Sequence, residues 1–267
     1  MAKILTESRE LFNNKIKSYN EKINSILENE KNTLALIQKD SFDAPYKKIT
    51  LCEEMISLSM FYITINNLSV EFLAAKNGDS LNEARKNIYK AIIYLEGIVT
   101  NSISCQYSEI EDKVASIENL SIEKRSYLIR KLGLAIRLVI DAFGDNTKWR
   151  WSFVELQGRY ATVVKNLINM KKACQDYFDP SSADYETTVT YVRLILKLLE
   201  QSASQYRDKY ELSTRRLDDM RFAINYLLAK RKICLLINMR DEAEEIKKKV
   251  VVWKEKLEAD HKAGLAN

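Results

Sequence analysis

Residues 149–177 read WRWSFVELQGRYATVVKNLINMKKACQDY, and the spacing of the large apolar side chains in this stretch decides the fold class. They recur at alternating steps of four and three residues, which places them along one stripe of an α-helix. After a polar turn at residues 179–182 that contains Pro180, the same alternation runs from Tyr185 to Tyr210. The two segments therefore predict two long helices joined as an antiparallel hairpin. The first stripe comprises Trp149, Phe153, Leu156, Tyr160, Val163, Leu167, Met170, Cys174 and Tyr177.

The composition of the whole chain also favours helices. The 267 residues include only 6 glycines and 2 prolines, whereas a sheet protein of this length needs many turns built from these residues. Hydrophobic residues make up 46% of the chain, enough for a sizeable core. The periodic segments predict roughly eight to ten helices. We therefore expect an all-α protein whose antiparallel hairpins form a helical array or a multi-helix bundle.

Start and stop signals refine this prediction. Ser80 and Glu83 have the spacing of a capping box at a helix start, and Gly144 is placed to end a helix that begins near Leu128. An earlier helix is expected over residues 45–76. The first helix of the chain is expected to be narrowly amphipathic, with a stripe formed by Leu11, Lys15, Tyr19, Ile23 and Ile26.

Periodicity weakens over residues 105–120, which are polar. We therefore predict an irregular N-terminal helical region over residues 1–118 and a C-terminal antiparallel helical region over residues 119–267. The net charge is +5, and the C-terminal region carries 28 of the 42 Lys and Arg residues but 20 of the 37 Asp and Glu residues. Its net charge is therefore +8, which fits either an acidic partner or a surface of interspersed charges.

The sequence offers few signs of a particular compartment. The four cysteines lie far apart and form no CxxC pair, so a reduced compartment is the simpler interpretation. The N-terminus does not resemble a signal peptide, and we find no apolar run of the roughly 18 residues needed to span a bilayer. We expect a cytoplasmic protein without a transmembrane segment, and peripheral attachment to a membrane-associated assembly stays open.

Catalytic and cofactor motifs are not apparent. His261 is the only histidine, so Glu258-x-x-His261 cannot be matched by a second such pair for a di-iron site. The six glycines are isolated and form no phosphate-binding loop. We therefore expect no catalytic residue, no metal and no cofactor, and we interpret the protein as a non-enzyme.

Residues 207–240 combine basic and aromatic side chains, as nucleic-acid-binding surfaces do. Acidic residues interrupt this region, however, and Tyr206 and Tyr210 belong to the apolar stripe, where we expect them to be in the core. Binding of nucleic acid or of an acidic surface here is an alternative function. A bundle that oligomerises along its apolar stripes is another.

Trp151 is the most unusual local feature. Trp149 and Trp151 point about 200° apart on a helix, so both cannot face one stripe. Trp151 either packs against a second neighbouring helix or is exposed as an anchor for a partner, because Trp, Tyr and Arg dominate interface hot spots. On the second interpretation, the candidate partner-binding residues are Trp151, Arg150, Arg159, Arg215, Arg216 and Arg231.

Several segments resemble tetratricopeptide repeats. Ala84, Ile88 and Ala91 match the small–bulky–small spacing of the family's second helix, Phe153, Leu156 and Tyr160 resemble a first helix, and Asp241-Glu242-Ala243 resembles another second-helix start. The sequence departs from the family at Gln157, where a small residue is expected, and it shows no 34-residue period. The stretch from Asp145 to Asn166 is also similar to tetratricopeptide-like proteins that spirochaetes attach to the flagellar-motor collar.

The resemblance implies a helical repeat whose concave face grips peptides or partner helices. The predicted function is therefore a non-enzymatic protein–protein interaction adaptor or assembly scaffold for a large complex, such as a flagellar motor. We expect one or more protein partners, and nucleic acid stays the alternative partner.

Overall fold

The computed structural model describes residues 6–144 and 148–264. Within these residues the chain forms ten α-helices, one short 3-10 helix and one π-helical turn, and no β-strand. The predicted all-α fold class is confirmed. Asp145, Asn146 and Thr147, which open the stretch that resembles the flagellar collar proteins, lie outside the described residues.

The helices pack into two compact units, each of which combines separate stretches of the chain. The first unit comprises residues 1–98 and 128–147, and the second comprises residues 99–127 and 148–267. Residues 118 and 119, between which the sequence predicts a boundary, both lie in the second unit. Ten α-helices are assigned in chain order: α1 (Thr6–Lys39), α2 (Ala44–Leu73), α3 (Gly78–Glu96), α4 (Glu111–Ala115), α5 (Ile122–Phe143), α6 (Arg150–Asn166), α7 (Met170–Tyr177), α8 (Tyr185–Lys209), α9 (Leu217–Leu236) and α10 (Arg240–Lys262).

In the first unit, α2 packs against both α1 and α3. The Tyr19 and Phe61 rings lie 6.0 Å apart between α1 and α2. The Ser59 hydroxyl donates to the Ala84 carbonyl at 3.0 Å, where α2 meets α3. Ala84 and Ala91, two of the small residues in the tetratricopeptide-like stretch, are fully buried. Small side chains at these positions let neighbouring helices approach closely.

Helix α1 is narrowly amphipathic as predicted, but its first turns bury a different set of residues. Phe12 is buried, whereas Leu11 and Lys15 are exposed. A stripe through Phe12, Ile16, Tyr19 and Ile23 keeps the alternating steps and explains the shift. The predicted stripe was therefore wrong by one residue at its start.

The stripe of α1 also contains a buried carboxylate, Glu30. It accepts hydrogen bonds from the Lys90 ammonium at 2.8 and 3.0 Å and from the Tyr94 hydroxyl, both on α3. Burial, and then the bond to Glu30, raise the pKa of Tyr94 well above its usual range. Because a buried charge needs a partner, this cluster fixes α1 in one register on α3.

The start of α3 corrects the predicted capping box. The helix begins at Gly78, and the side chain of Asn77 accepts a hydrogen bond from the Ser80 amide at 3.0 Å. Asn77 is therefore the N-cap, and Glu83 instead pairs with Lys86 at 2.6 Å. Gly144 does end α5 as predicted, with a left-handed φ of +87° that a Cβ-bearing residue rarely adopts.

Among the described residues, α2 is the one helix long and apolar enough to cross a membrane by length and composition alone. Its most apolar window has a mean hydropathy of 1.2, and 39% of that window is buried. Core helices pass the same test, and α2 packs against α1 and α3. Length and composition alone therefore make α2 only weak evidence for a membrane span.

In the second unit, the predicted helix over residues 149–177 is interrupted at residues 167–169. The Leu167 carbonyl accepts a hydrogen bond from the buried Arg125 guanidinium at 2.8 Å. The Asn169 side chain then caps α7 by accepting from the Lys172 amide at 3.1 Å. The apolar stripe continues through the break because Leu167 and Met170 stay buried. The prediction of one uninterrupted helix was wrong.

The remaining helices of the second unit pack in chain order. Helix α6 packs on α8, α8 on α9, and α9 on α10. The Tyr191 hydroxyl donates to the Val164 carbonyl at 3.1 Å, whereas Tyr206 lies beside Gly158, so α6 and α8 run antiparallel. The helices predicted over residues 217–237 and 243–257 are present as α9 and α10. This part of the chain is an array of consecutive paired helices.

Candidate binding groove

Helices α6, α8 and α9 enclose a groove in the second unit, which we call the α6–α9 groove. Its volume is about 540 Å³. Six of its lining residues are charged, three of each sign, so the lining carries mixed charges and is not uniformly basic. It is lined by Asn101, Ile103, Glu155, Arg159, Thr162, Tyr206, Lys209, Arg216, Asp218, Asp219, Phe222 and Tyr226.

Three aromatic rings form the floor of the groove. Tyr206 and Tyr226 stack with ring centres 5.6 Å apart, and the Phe222 ring lies 5.3 Å from that of Tyr206. Both tyrosines are buried, whereas Phe222 is 45% exposed. Phe222 is therefore the ring that contributes aromatic surface accessible from solvent.

Gly158 lets the two tyrosines pack directly on α6. A Cβ at this position would lie 2.6 Å from Cε2 of Tyr206 and 2.8 Å from the Tyr226 hydroxyl. That hydroxyl lies 3.1 Å from the Thr162 hydroxyl, also on α6. The floor is therefore fixed to α6 by close packing and a buried hydrogen bond.

A π-helical turn, Tyr210–Thr214, shapes the rim between α8 and α9. Its first residue, Tyr210, is buried and donates to the Asp260 carboxylate at 2.8 Å. Arg215 then adopts a left-handed φ of 51°, which reverses the chain. The turn places Arg216 at the N-cap of α9 and on the rim of the groove.

The same rim is held by a buried carboxylate, Asp219. It accepts hydrogen bonds from the Lys209 ammonium at 2.8 Å and from the Thr214 hydroxyl at 2.6 Å. Its negative charge is therefore compensated inside the protein, and these bonds fix the position of this wall.

Helix α6 forms the opposite wall through Glu155 and Arg159. Trp151 lies one turn before Glu155, about 40° away around the helix, and so shares this face. Trp151 is half-buried, and the Arg150 guanidinium lies 4.8 Å from the centre of its ring. Trp151 and Arg150, two of the predicted partner-binding residues, are not among the residues that line the groove.

A second, smaller cavity of about 250 Å³ lies near α4, α5 and α7. Arg125 lines it, but this buried guanidinium donates to the carbonyls of Leu120, Ile117 and Leu167 at 2.7–2.8 Å. The N–H groups of Arg125 therefore hold the irregular backbone at these three residues together. We assign this cavity no binding role.

The structure brings some of the predicted partner-binding residues together and separates others. Arg159 and Arg216 line the same groove, although 57 positions separate them in sequence. Arg215 instead lies over the Tyr210 ring at 5.8 Å, and Arg231 bonds to the Ala243 carbonyl and to Glu244. Glu155 and Asn101 line the groove but were not singled out, because their sequence surroundings carry no distinguishing signal. Phe222, one of the aromatic residues of the basic region over residues 207–240, also lines it but was not predicted to bind a protein partner.

The basic region over residues 207–240 is largely neutralised by internal pairs. Five of its nine Lys and Arg residues form ion pairs with acidic side chains. Lys230 bridges Glu200 and Glu242 at 2.7 and 2.6 Å. Burial alone would lower the pKa of Lys230, but the two carboxylates raise it above its usual value. The core positions predicted for Tyr206 and Tyr210 are confirmed.

These features define an all-helical protein whose second unit is an array of paired helices around an amphipathic groove. The TP0443 family model matches residues 8–261. The chain therefore belongs to the TP0443 family. No curated protein and no solved structure matches it.

Proposed function

We propose that this protein is a non-enzymatic adaptor or assembly scaffold that binds a segment of a partner protein in the α6–α9 groove. The observation that carries the proposal is the groove itself, which combines a half-exposed aromatic ring with fixed polar walls. Grooves between helices commonly receive a helical or extended segment in this way. The lining offers packing and hydrogen bonds, and no reaction is part of the proposal.

The charges on the two walls indicate what the partner segment carries. Among the described residues, neither Glu155 on α6 nor Arg216 on α9 forms an ion pair. They line the groove together with Phe222, which supplies exposed apolar surface. A complementary segment therefore has an apolar side chain for Phe222, with a basic residue toward Glu155 and an acidic residue toward Arg216.

A tetratricopeptide-like arrangement is part of the proposal. Its support is the packing of α6, α8, α9 and α10 in chain order, together with the Thr162–Tyr226 contact that joins α6 to α9. The sequence resemblance to flagellar-collar proteins points to a large, membrane-associated complex as the setting. Peripheral attachment to such a complex from the cytoplasmic side is the proposed location.

The experiment is affinity capture of the tagged chain at native level from its own cells, with nuclease treatment. Phe222→Ala and Arg216→Glu alter the groove, and Val252→Ala and Arg240→Glu are matched controls on exposed positions of α10. We expect one or two stoichiometric proteins with the wild type and both controls. Loss of a central aromatic contact is expected to weaken binding by about 30-fold, so the groove variants lose the partner while helix content by circular dichroism is unchanged.

Three outcomes contradict the proposal. Equal capture by the groove variants and the controls places the binding site elsewhere. Loss of all captured material after nuclease treatment indicates nucleic-acid binding, which strong salt dependence would accompany. Recovery of the chain alone, with concentration-dependent helix content, indicates a self-associating bundle.

A further inference from the structure

One wall of the α6–α9 groove is an irregular segment, residues 99–106, which we call the strap. It carries Asn101 and Ile103 into the groove lining and has no regular secondary structure. Ile103 is buried, whereas Asn101 is exposed. Asn101 is also the one carboxamide among the described residues that line the groove. Its surroundings therefore bear on what kind of segment the groove accepts.

The backbone on both sides of Asn101 is fixed to the end of α6. The side-chain amide of Asn166, a buried residue, donates to the carbonyls of Thr100 and Ser102, both at 3.1 Å. These two carbonyls flank Asn101 in the chain. Because both are bonded, the backbone of Asn101 is held in place, and a contact that its side chain makes costs less ordering.

The two ends of the strap are held in the same way. The buried Lys165 ammonium donates to the Cys105 carbonyl at 2.8 Å. The Lys113 ammonium donates to the Val99 carbonyl at 2.9 Å. Irregular backbone depends on side chains for its hydrogen bonds, and here lysine and asparagine side chains supply them at the start, the middle and the end. The strap is therefore a fixed wall of the groove.

The side chain of Asn101 takes no part in this support. Within residues 6–144 and 148–264, its carboxamide forms no hydrogen bond with another protein group. A carboxamide offers an N–H donor and a carbonyl acceptor side by side, as a peptide group does. The carboxylate of Glu155 only accepts and the guanidinium of Arg216 only donates. Of these three lining side chains, Asn101 is therefore the one that can bond both atoms of a peptide group.

The conformation of a bound segment decides whether its peptide groups are free for such bonds. Inside an α-helix each backbone N–H donates to the carbonyl four residues earlier, so both groups are already used. An extended segment has no such internal bonds, and its peptide groups stay available. A carboxamide on a fixed wall therefore complements an extended segment better than a helical one.

We propose that the α6–α9 groove binds its partner as an extended segment, and that Asn101 recognises the main chain of that segment through one peptide group. This inference rests on the proposed function and specifies the kind of segment that binds. Main-chain hydrogen bonds contribute affinity whatever the sequence, whereas contacts with alternate side chains give specificity. Asn101 supplies the first kind of contact, and Phe222, Glu155 and Arg216 supply the second.

The probe is a displayed library of short random peptides selected for binding to the full-length protein. Peptides that bind the wild type but not Phe222→Ala are kept, because their binding depends on the groove. Their affinities are then measured for Asn101→Ala and for Asn32→Ala, the same substitution at an exposed position of α1. We expect Asn101→Ala to bind about tenfold more weakly, since two neutral hydrogen bonds are lost, and Asn32→Ala to bind as the wild type does.

Methylation of single peptide nitrogens in a selected peptide separates main-chain from side-chain recognition. Each methyl group removes one main-chain N–H and leaves the side chains unchanged. We expect one position at which methylation weakens binding to the wild type by about tenfold. The same methyl group is expected to have little further effect on binding to Asn101→Ala, because the two changes remove one interaction.

Two results overturn the inference but leave the proposed function standing. The first is Phe222-dependent peptides that bind Asn101→Ala as tightly as the wild type, or that lose as much affinity on methylation in the variant. The second is Phe222-dependent peptides that bind more tightly when helix-favouring residues are added, which indicates a helical segment in the groove. Selection that returns no Phe222-dependent peptide contradicts both the inference and the groove as the binding site.

Discussion

Replacing Gly158 by alanine tests the packing of the groove floor. A Cβ there would lie 2.6 Å from a carbon of the Tyr206 ring, about 1 Å closer than the usual separation of non-bonded carbons. The Tyr206 ring cannot retreat freely, because it is buried and stacks on Tyr226. Gly158→Ala therefore forces α6 and α8 apart or displaces the ring.

The expected loss of stability is the balance of two effects. Overpacking of a buried site costs up to about 3 kcal/mol. Alanine in place of glycine inside a helix stabilises the helix by about 1 kcal/mol. We therefore expect the free energy of unfolding to fall by up to about 2 kcal/mol.

Urea unfolding followed by circular dichroism measures this change. Gly78→Ala is the matched control, because nothing lies within 4 Å of its added Cβ and Gly78 begins α3. Its stability is expected to be unchanged or higher by about 0.5 kcal/mol. A Gly158→Ala variant as stable as the wild type would show that the tyrosines do not pack on α6 as described.

Three further substitutions test buried charges. Arg125→Met is expected to lower the free energy of unfolding by about 3 kcal/mol in urea denaturation, because the buried carbonyls that Arg125 bonds lose their donor. An unchanged urea midpoint would contradict the role of Arg125 in holding this backbone. Glu30→Gln is expected to cost about 1 kcal/mol in the same assay, because Lys90 loses its carboxylate partner; the loss is small because Lys90 is partly exposed. For Lys165, the folded pKa of about 8 lies below the unfolded value of 10.5, so the unfolded chain binds more protons between these values. Between about pH 8 and pH 10.5 the free energy of unfolding of the wild type therefore rises with pH, by at most about 1.4 kcal/mol per pH unit. Lys165→Met lacks this rise. Identical pH profiles of the wild type and the variant would contradict the lowered pKa of Lys165.

The helices were predictable because their apolar stripes are long and regular. Val192, Leu199, Ala203 and Tyr206 of α8 are all buried, as the alternating steps require. The break at residues 167–169 was not predictable from periodicity, because the stripe continues across it. Asn169, a favoured N-cap residue, was the one local signal, and the bond from Arg125 to the Leu167 carbonyl is set by tertiary packing.

The groove was harder to predict than the helices. Arg159 and Arg216 were singled out from local sequence, but only packing of α6 beside α9 places them in one lining. The neutralisation of Lys230 by Glu200 and Glu242 depends on three separate helices. Composition therefore predicts how much charge the C-terminal region carries, whereas tertiary structure decides how much of it is available to a partner.

The most direct test of the adaptor proposal is photo-crosslinking in the protein's own cells. A photoreactive amino acid replaces Phe222 on the groove floor, or Val252, which is 60% exposed on α10, as the matched control. We predict that position 222 crosslinks one partner protein, that position 252 does not, and that adding Arg216→Glu abolishes the product. Crosslinking of the same protein from both positions, or of none from position 222, would contradict the assignment of the α6–α9 groove as the binding site.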